Sequence, residues 1–316
     1  MRLVTSLVVM ALVALLTFLL LDLAPGSYLD ELATNPQISA ETLQQMREQY
    51  GLDQPFYERF WRWARATTAG DFGYSFVYQR PIRQLVAERI GNTVLLNLVA
   101  LAAAWILGIA LGMTAAASRG SPLDWAIGGA TTVLLATPSV LLAVVALAVA
   151  ARFQLPIGGM TLSDAAGEST TFGARMLELS RHLALPAAAI ALVWLPVIAR
   201  HTRTAVLAAL AAPYALAARA KGVGRWRLLL VHAFREALGP LTSLFGLTLS
   251  GLLSASLVVE VVMAWPGLGQ LAYDALFKRD IFLVVDLVQV SALLLIAGNL
   301  AGEILLRRLD PRAADA

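Results

Sequence analysis

Few residues in this sequence are placed to make or break covalent bonds. His182, His201 and His232 form no H-E-x-x-H pattern, and no metal site is expected of them. Lys221 and Lys278 are followed by Gly222 and Arg279, so there is no G-x-x-x-x-G-K-[ST] and no P-loop with which the chain itself could bind ATP. Cysteine is absent, and so is a G-x-S-x-G nucleophile elbow. What the sequence offers instead is charge gathered in one place. Between residues 200 and 236, Arg200, Arg203, Arg219, Lys221, Arg225, Arg227 and Arg235 stand against a single carboxylate, Glu236. Such a stretch suits orientation and docking, and the chain is not expected to be an enzyme.

The elements that must position this basic stretch are long and apolar. The 316 residues are only 14% charged, with a mean hydropathy of +0.71, well outside soluble composition. An all-α integral membrane protein is expected. A pI near 9.4 raises nucleic acid as a partner, but the basic residues flank apolar runs, where topology accounts for them, so no nucleic-acid partner is expected. An excess of Lys and Arg in a loop of this length marks the cytoplasmic side. Six spans are read, at about residues 3–21, 92–117, 125–151, 183–199, 237–263 and 281–306, each long enough or nearly so to cross at about 1.5 Å per residue. The first, within 1–24, is longer than a usual signal core and lacks a clear A-x-A site. Both termini then fall in the cytoplasm, with a tail at 307–316 and a Glu303–Arg307 pair at that boundary.

Residues 25–91 read as an extracytoplasmic helical insert: Ser39 caps a helix stopped by Gly51, Pro55 starts one stopped by Gly70, and Pro81 starts a third. Phe56, Tyr57, Phe60, Trp61 and Trp63 on the middle helix suit either the lipid–water boundary or a small core of the insert itself. Within residues 92–306, read as the main transmembrane domain, small residues recur every four positions at Ala104, Gly108, Gly112 and Ala116, giving a close-packing face. Gly251 with its neighbours Ser250, Ser254 and Ala255 gives a second face, and Gly298 with Gly302 a third. Pro138, between Thr137 and Ser139, should bend the third span, most simply as a fixed kink. Pro186 and Pro196 make the fourth span short and the least certain of the six.

Inside the basic loop, Pro213 suits a first helical position and Gly222 a left-handed stop. Tyr214, Ala217, Ala218 and Lys221 fall at i, i+3, i+4 and i+7, so one face presents small side chains between an aromatic and a cation, narrow enough to enter a cleft. Alanines are also simply good helix formers.

This stretch, Tyr214-Ala-Leu-Ala-Ala-Arg219-Ala-Lys221-Gly222 followed by Arg225, resembles the EAA loop of ABC-importer permeases, in the YxxxARAKG wording of the dipeptide/oligopeptide/nickel branch. Ala217, Ala218 and Gly222 match the general motif, while Leu216 holds the glutamate position. Gly70-Asp-Phe-Gly-Tyr-Ser75 looks like the family's GDxGxS, Val258 to Gly269 like its VETVFxWPGLG, and Leu309-Asp-Pro-Arg312 like its LDPR tail. The resemblance implies a transport subunit of the bacterial inner membrane. It also implies a coupling helix, carried by Tyr214, Ala217, Ala218, Arg219, Lys221, Gly222 and Arg225, that docks on a separate ATPase. Expected partners are a second, different permease, two ABC ATPases holding ATP and Mg, and an extracytoplasmic solute-binding protein. No cofactor is expected on this chain, and the cargo is expected to be di- or oligopeptides or a related solute such as nickel.

Residues for a pathway or gate are fewer. Pro138 is placed there because the family carries a proline at the bend. Glu260 closes the fifth span ahead of Trp265-Pro266-Gly267, whose glycines imply a turn followed by a short helix at 270–277. An acid near the boundary is a functional candidate, although holding the turn's backbone N–H groups is the commoner role. Asp286 is the polar position of the sixth span best suited to line a path. An ion-coupled secondary transporter is the competing reading, weakened by the absence of an internal repeat.

Overall fold

The structure is a computed structural model that describes residues 2–23, 33, 39–51, 53–159 and 171–309. The Asp-Pro-Arg part of the Leu309-Asp-Pro-Arg312 resemblance and the Glu303 and Arg307 side chains lie outside the described residues. Long helices dominate, with one two-strand hairpin of four residues, Tyr74–Ser75 against Arg80–Pro81. Among the described residues, five helices are long and apolar enough to cross a membrane, and the pair Pro122–Ala136 and Ser139–Phe153 gives a sixth crossing if counted together. The chain divides into two compact units, residues 1–92 with 267–296, and residues 93–266 with 297–316.

In the first unit, helix Arg2–Leu23 turns most of its residues outward but buries Ala14 and Phe18. Phe18 lies 5.9, 5.8 and 6.0 Å from the rings of Phe56, Phe60 and Trp63 on helix Phe56–Thr68. Helical spacing thus divides the aromatic run: these three rings build a core with the first helix, while Tyr57 and Trp61 are exposed on the opposite face. The hairpin follows, entered through Gly70 and Gly73, both at positive φ, which glycine adopts without steric cost. A second core joins Ile82 and Leu85 to Leu268 and Leu271 of helix Leu268–Phe277 and to Leu283 and Leu287 of helix Ile281–Leu309.

The second unit is arranged around helix Phe172–Ala211, which is 40 residues long and carries Pro186 and Pro196 in its interior, both buried. The expected short span at 183–199 is therefore corrected at both ends, and Arg200, His201 and Arg203 sit on helix rather than loop. Reading proline as punctuation was the error. This helix contacts Pro122–Ala136, Ser139–Phe153 and Phe234–Val262, and such enclosure keeps a proline-bearing helix intact. The small residues of helix Ile82–Ala117 lie against it: a Cβ on Gly108 would stand 2.8 Å from Ile198 Cβ, and one on Gly112 2.5 Å from the Ala199 carbonyl oxygen. Gly251 meets the Trp194 ring in the same manner, and Gly298 meets Leu249.

Proline acts differently at position 138. The third span is broken there, not kinked: its two 15-residue halves are set at 106°. Thr137 is extended at φ −89°, ψ 121°, as the residue before a proline prefers, and its hydroxyl donates to the Val133 carbonyl at 2.8 Å. Each half is about 22 Å long, short of a bilayer core.

Candidate functional site

Helix Pro213–Ala220 sits where the residues place it. Ala212 is extended, Pro213 occupies the first turn, and Gly222 at φ +80° receives the chain after Lys221. The Lys221, Gly222 and Val223 N–H groups donate back to Ala217, Arg219 and Ala218 carbonyls at 3.1, 2.9 and 3.1 Å, closing the last turn. Ala215 is fully buried and holds the helix down, while Tyr214, Leu216, Ala217 and Lys221 are exposed and Ala218 is half-buried. Partial burial, then the Glu236 carboxylate, push the Tyr214 phenol above its ordinary value, so it stays a neutral hydrogen-bond donor. The free face is thus a shallow strip of methyl groups with a phenol at one end and an ammonium at the other.

Arg219 and Arg225 do not share that face. Arg219 Nη2 donates to the Leu210 carbonyl at 3.4 Å, at the end of helix Phe172–Ala211. Arg225 Nη2 donates to the Ala117 carbonyl, at the end of helix Ile82–Ala117. Both cations meet the negative ends of helix dipoles and tie the short helix to the longer ones. A six-residue π-helical segment, Leu228–Ala233, then leads into helix Phe234–Val262, with Leu228, Leu229 and Ala233 buried.

A brace near this region has no counterpart in the sequence reading. Arg203 grips Asp124 through two bonds, Nε to Oδ1 at 2.7 Å and Nη2 to Oδ2 at 2.8 Å, and the Gly120 N–H donates to the same carboxylate at 3.0 Å. Asp124 is capped from Ser121 in a Ser-Pro-x-Asp start, which is the local signal that marked it as a structured position. Its partner is invisible from sequence, because Arg203 had been counted among loop charges.

The gate candidates fall into separate settings. Pro138 lies at the break of the third span. Glu260 is fully buried, its main-chain carbonyl accepts the Trp265 N–H at 2.9 Å, and Trp265 is 1% exposed. Pro266 follows in the same turn, where Ala264 adopts φ +50° and accepts from the Gly159 N–H at 3.1 Å. Next to Gly159, the Gly158 carbonyl lies 3.0 Å from Nδ1 of His182, which is buried. Gly267 caps the start of helix Leu268–Phe277, two residues earlier than read from sequence. Asp286 is fully buried, with Oδ1 accepting from Trp63 Nε1 at 2.9 Å beside the aromatic core of the insert.

A polar clamp in the first unit was also missed. Asp280 and Ser75 are both 0% exposed, and Ser75 Oγ donates to Asp280 Oδ2 at 2.6 Å. The Val77 N–H reaches the same oxygen at 3.2 Å, and Asp280 Oδ1 accepts the Leu283 N–H at 3.3 Å as the cap of the last helix. Tyr78 donates to Asp274 at 3.2 Å alongside. The Gly-Asp-Phe-Gly-Tyr-Ser segment therefore positions a serine onto a buried acid. Among the described residues, no group of three or more His, Cys, Asp or Glu could hold a metal ion.

Known proteins agree with this architecture. The sequence pattern of the family described as binding-protein-dependent transport system inner membrane component matches residues 108–315, and that of its N-terminal part matches residues 1–97. The oligopeptide transport system permease protein AppB of Bacillus subtilis (strain 168) is 33% identical over 301 residues, covering 95% of this chain and 93% of that protein. The glutathione transport system permease protein GsiC of Escherichia coli (strain K12) is 31% identical over 304 residues, covering 95% and 92%. A chain of the MetNI methionine ABC transporter, solved in inward-facing conformations, shares the fold with a TM-score of 0.58 at 19% identity, over 72% of this chain and 97% of that one.

Proposed function

The chain belongs to the binding-protein-dependent transport system inner membrane components, the permease subunits of ABC importers, and on that premise we propose that it carries di- or oligopeptides and receives its drive through helix Pro213–Ala220. The observation that carries the coupling part is the exposed strip of Tyr214, Ala217, Ala218 and Lys221 on a helix pinned by Ala215, Arg219 and Arg225. A ridge of methyl groups enters a groove on another protein with little loss of side-chain entropy. In this reading two ATPases bind on the cytoplasmic side, where both termini lie. A second, different permease completes the pathway, and a solute-binding protein delivers cargo from outside. ATP and Mg are held by the ATPases and none of their chemistry falls on this chain. Closure of the ATPases moves the short helix, and the braces from Arg203, Arg219 and Arg225 transmit that motion to the long helices. The break at Pro138 and the turn at Glu260, Trp265, Pro266 and Gly267 are the places where backbone geometry departs from helix, and they are the gate elements of this proposal.

The peptide cargo follows the names of the relatives, and uptake tests it. Cells lacking the chain and cells restored with it are compared for accumulation of a labelled tripeptide, with the relevant ATPase genes intact or deleted. Accumulation that needs both supports the reading. Uptake that persists without the ATPases contradicts it, and uptake of nickel or glutathione in place of the tripeptide moves the cargo while leaving the coupling mechanism standing.

A further inference from the structure

Behind the short helix lies an open cavity of about 580 Å³, within the second unit, whose charged lining is Arg119, Arg219 and Arg225. Its remaining walls are aliphatic, from Leu207 and Leu210 on one side and Leu228 on the other, and among the described residues no Asp or Glu lines it. Two helix C-termini open onto it, at Ala117 and Ala211, each worth about half a negative charge. They offset roughly one of the three guanidinium charges and leave an excess of about two. The single bonds from Arg219 to Leu210 and from Arg225 to Ala117 fix where these side chains stand but use few of the five N–H donors each carries. Arg119 also borders the neighbouring cavity that contains Asp124, but that carboxylate is already engaged on both oxygens by Arg203 and on one by Gly120.

Three arginines lining one cavity, with spare donors and no acid among its described lining residues, match a tetrahedral oxyanion better than a neutral ligand. We propose that this cavity binds a phosphate ester, the chemistry shared by a phospholipid headgroup and a soluble phosphorylated metabolite, and that the bound group stiffens the short helix against the body of the permease. The aliphatic walls and the exposed Leu216, Trp226 and Leu230 nearby suit an acyl chain as well as a small ester. The inference uses the permease reading only for the side of the membrane on which the cavity opens. It is tested by ligand binding and not by retention of an ATPase, so its failure and the failure of the docking proposal are separately visible.

The full chain, purified in a gentle nonionic detergent with whatever accompanies it, is titrated with phosphatidylglycerol in mixed micelles, with phosphatidylcholine, with glycerol 3-phosphate and with inorganic phosphate. Binding is read by thermal shift and by mass spectrometry of the intact complex. Binding of at least one phosphate probe is expected, weakened about tenfold in Arg119→Gln and further in Arg119→Gln combined with Arg225→Gln, and weakened again by raising salt. Arg227→Gln, a change in the same basic stretch but outside the cavity, should leave affinity unaltered. Phosphatidylglycerol binding alone assigns the membrane as source, and glycerol 3-phosphate or inorganic phosphate binding alone assigns a soluble one. The proposal is overturned if no phosphate probe binds the wild-type chain, if Arg119→Gln folds and binds as well as wild type, or if Arg227→Gln weakens binding as much as Arg119→Gln.

Discussion

The hairpin around Ser75 and the helix Pro213–Ala220 are both short connections between long apolar helices, and they are held in opposite ways. The hairpin turns its polar groups inward: Ser75, Val77 and Leu283 converge on Asp280, and nothing at that point is open to solvent. The short helix buries one alanine and leaves Tyr214, Leu216 and Ala217 exposed, and among the described residues the side-chain polar ties at and just after it are single arginine bonds to carbonyls at the ends of other helices. A polar group satisfied within the chain is not available to a partner, while a segment pinned at its edges keeps side chains to offer. Glycines flank both segments, at Gly70 and Gly73 and at Gly222 and Gly224, and the packing tells the two apart.

The sharpest way to separate the two is to remove the clamp. Asp280→Ala strands two buried donors and the cap of the last helix, and it should cost about 2–5 kcal/mol in detergent unfolding, without changing which proteins accompany the chain at temperatures where it stays folded. A loss under about 0.5 kcal/mol would mean the clamp is not structural. The converse change, Ala218→Glu, should leave unfolding nearly unaltered but reduce peptide uptake about a hundredfold, because a charge is forced into an apolar groove. Arg203→Ala is intermediate. It leaves the Asp124 carboxylate without its bidentate partner, and with Arg203 partly exposed the expected cost is about 1–2 kcal/mol, shrinking at high salt, measurable by the same unfolding assay. Smaller again is Gly222→Ala, where a Cβ meets nothing within 4 Å but φ is +80°. Strain of about 1 kcal/mol should appear as faster hydrogen exchange in the last turn of the short helix.

The clamp also carries a pH signature. Burial pushes the Asp280 carboxyl above the usual carboxylate range, against the opposing bonds from Ser75, Val77 and Leu283. The folded chain then holds this proton more tightly than the unfolded chain. The resulting stabilisation is full below about pH 3.9, the ordinary aspartate value, and is lost as pH rises through the higher folded value. Wild type should therefore lose stability relative to Asp280→Asn as pH rises across that window, and a wild type that gains stability relative to Asp280→Asn there would refute the assignment.

Much of this architecture was legible in the residues because it is local. Apolar length located the spans, Pro213 and Gly222 bounded the short helix, and the four-residue spacing of Gly108 and Gly112 marked a face that does meet another helix closely. What was not legible depends on distant partners. Ser75 and Asp280 are 205 residues apart, and Trp63 and Asp286 are 223 apart, so neither pairing leaves a periodic trace. Proline shows the same limit within single elements. Pro138 breaks its span completely, whereas Pro186 and Pro196 pass through the most enclosed helix of the second unit, and only the surrounding helices decide between those outcomes. Spacing alone puts Tyr214, Ala217, Ala218 and Lys221 on one side of the short helix, but the bonds of Arg219 and Arg225 to the Leu210 and Ala117 carbonyls needed the neighbouring helix ends to be seen.

One measurement bears most directly on the difference between a clamped segment and an offered one: affinity purification of the chain in gentle detergent, comparing wild type with Ala217→Glu, Ala218→Glu and Asp280→Asn. The account predicts that an ATPase accompanies wild type and Asp280→Asn and is absent from both glutamate variants, while all four chains retain the second permease. An ATPase that stays bound to both glutamate variants, or one that never accompanies the folded wild-type chain, would contradict it.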